Sequence, residues 1–91
     1  MADLVLHRRV QRYAKRLPAD QKEKVKASLT KLAEDADDYR GAITMSGQWQ
    51  GYCRIRIGQL RVIYSYVQTE NVIYVDYLGP RGEIYKQWVY L

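Results

Sequence analysis

The sequence predicts an α+β domain in which an N-terminal pair of helices packs on one face of an antiparallel sheet. Three observations carry this prediction. Apolar residues recur at the helical period through the first 38 residues, residues 42 to 79 alternate and are rich in Val, Ile and Tyr, and the breaks between runs are short turns. The chain has 91 residues, and a single domain spanning 1–91 is expected. With 47% hydrophobic residues it has too much apolar surface for a disordered chain. At this length folding buries only about 60–65% of the unfolded surface, so the core is modest.

The elements follow in order. Residues 4 to 38 read as helix, with Leu6, Val10, Tyr13, Ala14 and Leu17 on one face. Leu4 to Leu6 reads equally as a short opening strand. Pro18 ends the first helix and opens the second. Val25, Leu29, Leu32 and Ala36 continue the apolar stripe. Glu34, Asp35, Asp37 and Asp38 then crowd a helix C-terminus, where the macrodipole disfavours acids, so the helix should fray or stop there. Gly47 and Gly51 punctuate the first two strands. Tyr52 to Ile57, Arg61 to Val67 and Val72 to Leu78 are the remaining strand segments. Connections as short as Gly58-Gln59 and Gln68 to Asn71 make neighbouring strands antiparallel.

The register follows from the turns. Glycine at the first loop position predicts a type II′ turn at Gly58-Gln59, which sets Ile57 opposite Leu60, Arg56 opposite Arg61 and Ile55 opposite Val62. A symmetric loop centred on Thr69-Glu70 sets Tyr66 opposite Ile73, Tyr64 opposite Val75 and Val62 opposite Tyr77. Alternation then places Cys53, Ile55, Ile57, Val62, Tyr64, Tyr66, Ile73, Val75 and Tyr77 on an apolar face toward the helices. Arg54, Arg56, Arg61, Ile63, Tyr74, Asp76 and Leu78 fall on the other. Like charges facing each other across strands are destabilising, and Arg56 and Arg61 do so with Arg54 nearby. Asp76 is the one carboxylate on that face, and it cannot neutralise three guanidinium groups. Two readings stay open: an anion site, for which planar guanidinium forks suit phosphate, or an ordinary solvated face with screened charges.

Fifteen basic and ten acidic residues give a net charge of +5, which suits an anionic partner, nucleic acid first and an acidic protein second. Nine tyrosines and two tryptophans, with no phenylalanine, point to a surface that touches something. A single cysteine, Cys53, excludes a disulfide framework and a cysteine zinc site. The N-terminus carries no signal-peptide pattern and no stretch is long enough to span a membrane, so a cytoplasmic protein is expected. There is no P-loop, HExxH motif or paired-carboxylate site.

The run Tyr52-Cys53-Arg54-Ile55-Arg56-Ile57-Gly58-Gln59-Leu60-Arg61-Val62-Ile63-Tyr64, followed by Leu78-Gly79-Pro80-Arg81-Gly82-Glu83-Ile84-Tyr85, resembles the RelE/ParE superfamily of type II toxins. The superfamily reads approximately G-Y-x-R-I-R-x-G-x-x-R-V-I-Y, then a strand, then G-x-R-x-x-x-Y. With the two upstream helices the resemblance covers nearly the whole chain. It implies a helical hairpin on a four-stranded, mainly antiparallel sheet. It also implies a cognate, RelB-like antitoxin, usually acidic, in a toxin–antitoxin hetero-oligomer. One branch cuts messenger RNA in the ribosomal A site; the other poisons DNA gyrase and does not cut RNA.

The nuclease branch needs no metal or other cofactor. The ribose 2′-hydroxyl attacks the adjacent phosphorus, leaving a 2′,3′-cyclic phosphate and a 5′-hydroxyl, so a base, a charge stabiliser and help for the leaving oxygen are required. By resemblance, Arg61 holds the charged phosphorane, Arg81 contacts the phosphate or assists the leaving oxygen, and Tyr85 stacks on or orients the nucleotide or joins the proton transfer. Arg54 and Arg56 stand where well-studied members carry lysines. They bind phosphate, but arginine is a poor general base, which leaves proton abstraction unassigned. Ser46 stands where members often carry an arginine. Arg61, Arg81 and Tyr85 together favour the nuclease; Arg54, Arg56 and Ser46 weigh toward a gyrase-type or catalytically weakened member.

Other residues read more plainly. His7, beside Arg8 and Arg9, is expected on the helix surface, and Cys53 as apolar filler. The cluster Arg8, Arg9, Arg12, Lys15 and Arg16 is either a solvated face or a grip on ribosomal RNA. Trp49 caps the sheet or meets a partner, and Trp88 and Tyr90 fold onto the core or meet the antitoxin. Gly79, Pro80 and Gly82 form the turn that aims Arg81.

Overall fold

The computed structural model describes residues 1–37, 39, 41–45, 47 and 50–80. The elements are β1 (Asp3–Leu6), α1 (Arg8–Lys15), α2 (Ala19–Glu34), β2 (Ile43–Thr44), β3 (Cys53–Ile57), β4 (Leu60–Val67) and β5 (Val72–Pro80). The strands form one five-stranded sheet in the order β1-β5-β4-β3-β2. All neighbours are antiparallel except β1, which runs parallel to β5.

The opening residues are a strand, so the helical reading that began at residue 4 is corrected there. Leu4 and Leu6 point toward the core while Asp3 and Val5 are exposed, a period of two. The helix starts at Arg8 because His7 caps it: its Nδ1 accepts a hydrogen bond from the Arg9 backbone N–H at 3.1 Å. His7 is thus a capping residue on the surface. A parallel pairing of β1 with β5 joins segments about seventy residues apart, and local periodicity carries no trace of it. Counting β1, the sheet has one strand more than the four that the resemblance implies.

Pro18 precedes α2, and α2 ends at Glu34 where the acidic run begins. Val25, Leu29, Leu32 and Ala33 of α2, with Val10 of α1, cover the inner face of the sheet, formed by Ile55, Ile57, Leu60, Val62, Tyr64, Ile73, Val75 and Leu78. Leu32, Ile55 and Ile73 are fully enclosed. Burial, and then the Cys53 thiol beside it, push the Tyr64 phenol well above the ordinary tyrosine range, so it stays neutral in the core. Cys53 is half-buried against this core, as expected.

Gly58 has φ +61°, and among the described residues Asn71 is the one non-glycine with positive φ. Gln59 therefore keeps negative φ, which is the type II′ turn. Asn71, with φ +55°, closes the β4–β5 loop. Its side chain accepts from the Tyr66 hydroxyl at 2.8 Å and donates to the Met1 carbonyl at 3.3 Å, while its own carbonyl accepts from the Asp3 N–H at 3.0 Å. One residue ties the hairpin to β1. Asn71→Ala loses both side-chain bonds and strains the backbone, and is expected to lower stability by about 1–2 kcal/mol in chemical denaturation.

The register of β3 on β4 is the one the turn predicts, including Arg56 opposite Arg61. The register of β4 on β5 is as predicted only as far as Tyr64 opposite Val75. A β-bulge follows: Asp76 has no partner, Ile63 faces Tyr77 and Val62 faces Leu78. Tyr77 and Leu78 thus exchange faces relative to the sequence reading. A bulge frees a backbone carbonyl, and here the Arg9 Nε–H donates to the Asp76 carbonyl at 2.7 Å. The Asp76 carboxyl lies beside Arg9 and His7 of the α1 start, rather than serving the sheet arginines.

Candidate functional site

The outer face of the sheet carries two rows of cross-strand neighbours. The first runs Arg56, Arg61, Gly79 across β3, β4 and β5; the second runs Ile43, Arg54, Ile63, Tyr77 across β2 to β5. The turn at Gly58 and the alternation of β3 and β4 together set three guanidinium-bearing residues on one face. Arg56 is exposed and donates from Nε to the Gly58 carbonyl at 3.2 Å, which holds its stem along the turn. Arg54 and Arg61 are half-buried.

An open concavity of about 300 Å³ lies here, lined by Arg56, Gln59, Arg61 and Pro80, with no acidic residue among them. Two arginines at its wall, with no carboxylate among the described residues of its lining, make it attractive to an anion the size of a phosphodiester. Arg56→Gln relieves the cross-strand repulsion and is expected to raise thermal stability slightly, by a few tenths of a kcal/mol up to about 1.

The structure brings Arg54, Arg56 and Arg61 onto one face. Arg81 and Tyr85 lie outside the described residues, as do Ser46, Trp49, Gly82, Trp88 and Tyr90. His7 stands at the start of α1, beside Asp76, away from the arginine rows.

Sequence alternation missed Tyr77. The bulge turns it to the outer face, where it is buried with Ile63 against Met45 and Tyr52. Its ring then runs along β5 over Gly79. A Cβ placed at Gly79 would meet the Tyr77 hydroxyl at 2.5 Å and ring carbons at 2.9 Å. The phenol therefore fills the seat that a side chain at 79 would take, next to Arg61 in the first row. The signal in the sequence is the acid between Val75 and Tyr77: a polar residue followed by two apolar ones breaks the alternation of β5.

Asp76 titrates above the usual carboxylate range, because partial burial outweighs the attraction of Arg9 and then His7. The folded carboxyl so keeps its proton to higher pH than the unfolded one. In that window the folded state binds more protons, and stability falls as pH rises through it. Asp76→Asn removes this slope. At neutral pH the variant is expected to melt higher than the parent, with the gap closing as pH is lowered through the window. The phenol of half-buried Tyr74 is raised by the Glu70 carboxylate, which accepts from its hydroxyl at 3.2 Å.

Among the described residues no group of His, Cys, Asp and Glu is placed to hold a metal ion, and no helix is long and apolar enough to cross a membrane. No curated protein matches the sequence significantly. Among solved structures, the chain is similar to archaeal RelE in the RelE–RelB complex from Pyrococcus horikoshii OT3. The two are 26% identical over 89% of this chain and 96% of that one, with TM-score 0.76. It also shares its fold with the isolated E. coli RelE toxin (18% identity, 99% and 97% covered, TM-score 0.72). The YoeB/ParE toxin from Agrobacterium tumefaciens is a further fold relative (18% identity, 87% and 98% covered, TM-score 0.74). Residues 4–85 match the family described as the ParE toxin of type II toxin–antitoxin system, parDE, and the chain belongs to that family, within the RelE/ParE superfamily of toxins.

Proposed function

We propose that this toxin is a ribosome-dependent endoribonuclease that cuts messenger RNA in the A site and is held inactive by an acidic, RelB-like antitoxin. The observation that carries the reading is the cross-strand pair Arg56–Arg61, with Arg54 on the same face, at a concavity lined by no acid among the described residues. Guanidinium groups gathered on one face present planar donor forks that suit a phosphodiester.

In the proposed step the 2′-oxygen forms a bond to phosphorus as the bond from phosphorus to the 5′-oxygen breaks. The proton leaves the 2′-oxygen for a base, and a proton reaches the departing 5′-oxygen. Arg61 stabilises the charge that grows on the phosphorane oxygens, and Arg54 and Arg56 hold the flanking phosphates. Arg81 assists the leaving oxygen and Tyr85 orients the nucleotide. The guanidinium groups supply the positive charge the step requires, so it runs without a metal. Such a toxin acts where messages are translated, in the cytoplasm. The solved archaeal relative occurs with RelB, which supports the assigned partner.

Induced expression in a bacterial host, with primer extension on an abundant message, tests the reading. Codon-related cuts are the expected result. The match to the ParE toxin family favours one second reading, contact inhibition of gyrase. Growth arrest with intact messages would establish that instead.

A further inference from the structure

A charge that stabilises a developing anion works best when it is held in place before the anion arrives. Arg61 has that role in the proposed step, and its own row of the sheet gives it little to lean on. The β5 residue opposite it is Gly79, which has no side chain. Its β3 neighbour Arg56 is held along the turn, with Nε donating to the Gly58 carbonyl at 3.2 Å.

The bulge at Asp76 fills the gap. It puts Tyr77 on the outer face two residues before Gly79, so the ring can reach along β5 into the row of Arg61. Cross-strand neighbours on one face stand about 4.5–5.5 Å apart between Cβ atoms. The point where a Gly79 Cβ would sit is 2.5 Å from the Tyr77 hydroxyl oxygen and 2.9 Å from two ring carbons. The far end of the ring therefore takes the cross-strand seat beside the Arg61 stem. It is fixed there, since Tyr77 is 3% exposed and packs with Ile63 against Met45 and Tyr52. Arg61 is half-buried although it borders an open concavity, which agrees with a stem laid against a ring. Gly79 is not among the glycines with positive φ, so space, and not backbone conformation, is what calls for glycine at this position.

We infer that Tyr77 is a positioning residue for Arg61: its buried ring, admitted by the bare backbone of Gly79, holds the Arg61 side chain toward the concavity. A guanidinium stacked on an aromatic ring keeps its planar donor fork able to meet a phosphate. The anion then meets two arginines braced independently, Arg56 by the turn and Arg61 by the ring. The inference deepens the proposed function and rests on it for the step that Arg61 serves.

Nuclear magnetic resonance on the full chain tests the brace, with inorganic phosphate as the probe and the Arg61 Nε resonance as the readout. In the parent, the Arg61 side-chain protons are expected to cross-relax with the Tyr77 ring and to be shifted upfield by it. Tyr77→Phe keeps the ring and is expected to keep both the upfield shift and the phosphate affinity. Tyr77→Leu keeps apolar bulk without the flat face, and is expected to abolish the upfield shift and weaken phosphate binding about two- to fivefold. Message cleavage should fall further, by about tenfold or more, because a misplaced group costs most in the transition state. Gly79→Ala pushes the ring from its seat and is expected to act in the same direction, which keeps the test open if Tyr77→Leu does not fold. No cross-relaxation between Arg61 and the ring, no phosphate-induced shift at Arg61, or a Tyr77→Phe variant as weak as Tyr77→Leu overturns the inference. The resonance readouts need no RNA cleavage. A chain that cuts no message yet shows the ring-dependent phosphate response keeps the brace and loses the nuclease; a chain that cuts messages with Arg61 clear of the ring does the opposite.

Discussion

Arg61→Ala is expected to cut growth inhibition and message cleavage by at least about a hundredfold while leaving the melting temperature close to that of the parent. The magnitude is what removal of one preorganised charge at a developing anion typically costs, about 10²–10³ in rate. The stability half of the prediction follows from position. Arg61 is half-buried on the outer face, opposite Arg56, so alanine leaves the enclosed inner face untouched. Both halves are measured together, by primer extension and growth on the one hand and a thermal melt on the other. Unchanged toxicity, or a chain that no longer folds, removes Arg61 from the role assigned to it.

The largest effect on stability is expected at Tyr77 and Gly79. Tyr77→Ala takes a nearly enclosed aromatic ring out of the outer cluster, at about 3–5 kcal/mol. Gly79→Ala drives a methyl group into the same ring, whose hydroxyl and two ring carbons lie within 3 Å of the new atom. Overpacking of that kind costs about 1–3 kcal/mol. The two changes are coupled because they contest one volume. In the Tyr77→Ala background, Gly79→Ala is therefore expected to be almost neutral. A double-mutant cycle in denaturant reads this directly, and simple additivity would mean that the ring does not lie over Gly79.

Much of the fold was legible because it is local. The type II′ turn at Gly58 sets the β3–β4 register, and with it the Arg56–Arg61 pair, from a handful of adjacent residues. The acidic run after Glu34 stops α2 where the macrodipole argument ends it. Two features were not legible, each for a physical reason. Leu4 to Leu6 satisfies both a helical and a strand period, and only a partner about seventy residues away decides between them. The bulge at Asp76 depends on a carbonyl acceptor for Arg9, another contact between distant parts of the chain. Missing it placed Tyr77 inside and Leu78 outside, the reverse of what the structure shows. Of the five site residues read from the sequence, Arg54, Arg56 and Arg61 fall together on one face, and Arg81 and Tyr85 lie outside the described residues.

The bulge also makes β5 a strand written in two phases. Residues up to Val75 send their odd-numbered members inward, and residues from Tyr77 onward send their even-numbered members inward. Deletion of the single codon for Asp76 would merge the phases into one regular alternation, with Val75 and Leu78 still on the helix-covered side and Tyr77 still on the arginine side. Gene families drift by small deletions as well as by substitutions, and most such losses are absorbed in loops. In this strand the loss of that one triplet would likewise leave every neighbour on its own face, because the residue removed is the unpaired one, and what is lost is the carbonyl that Arg9 holds.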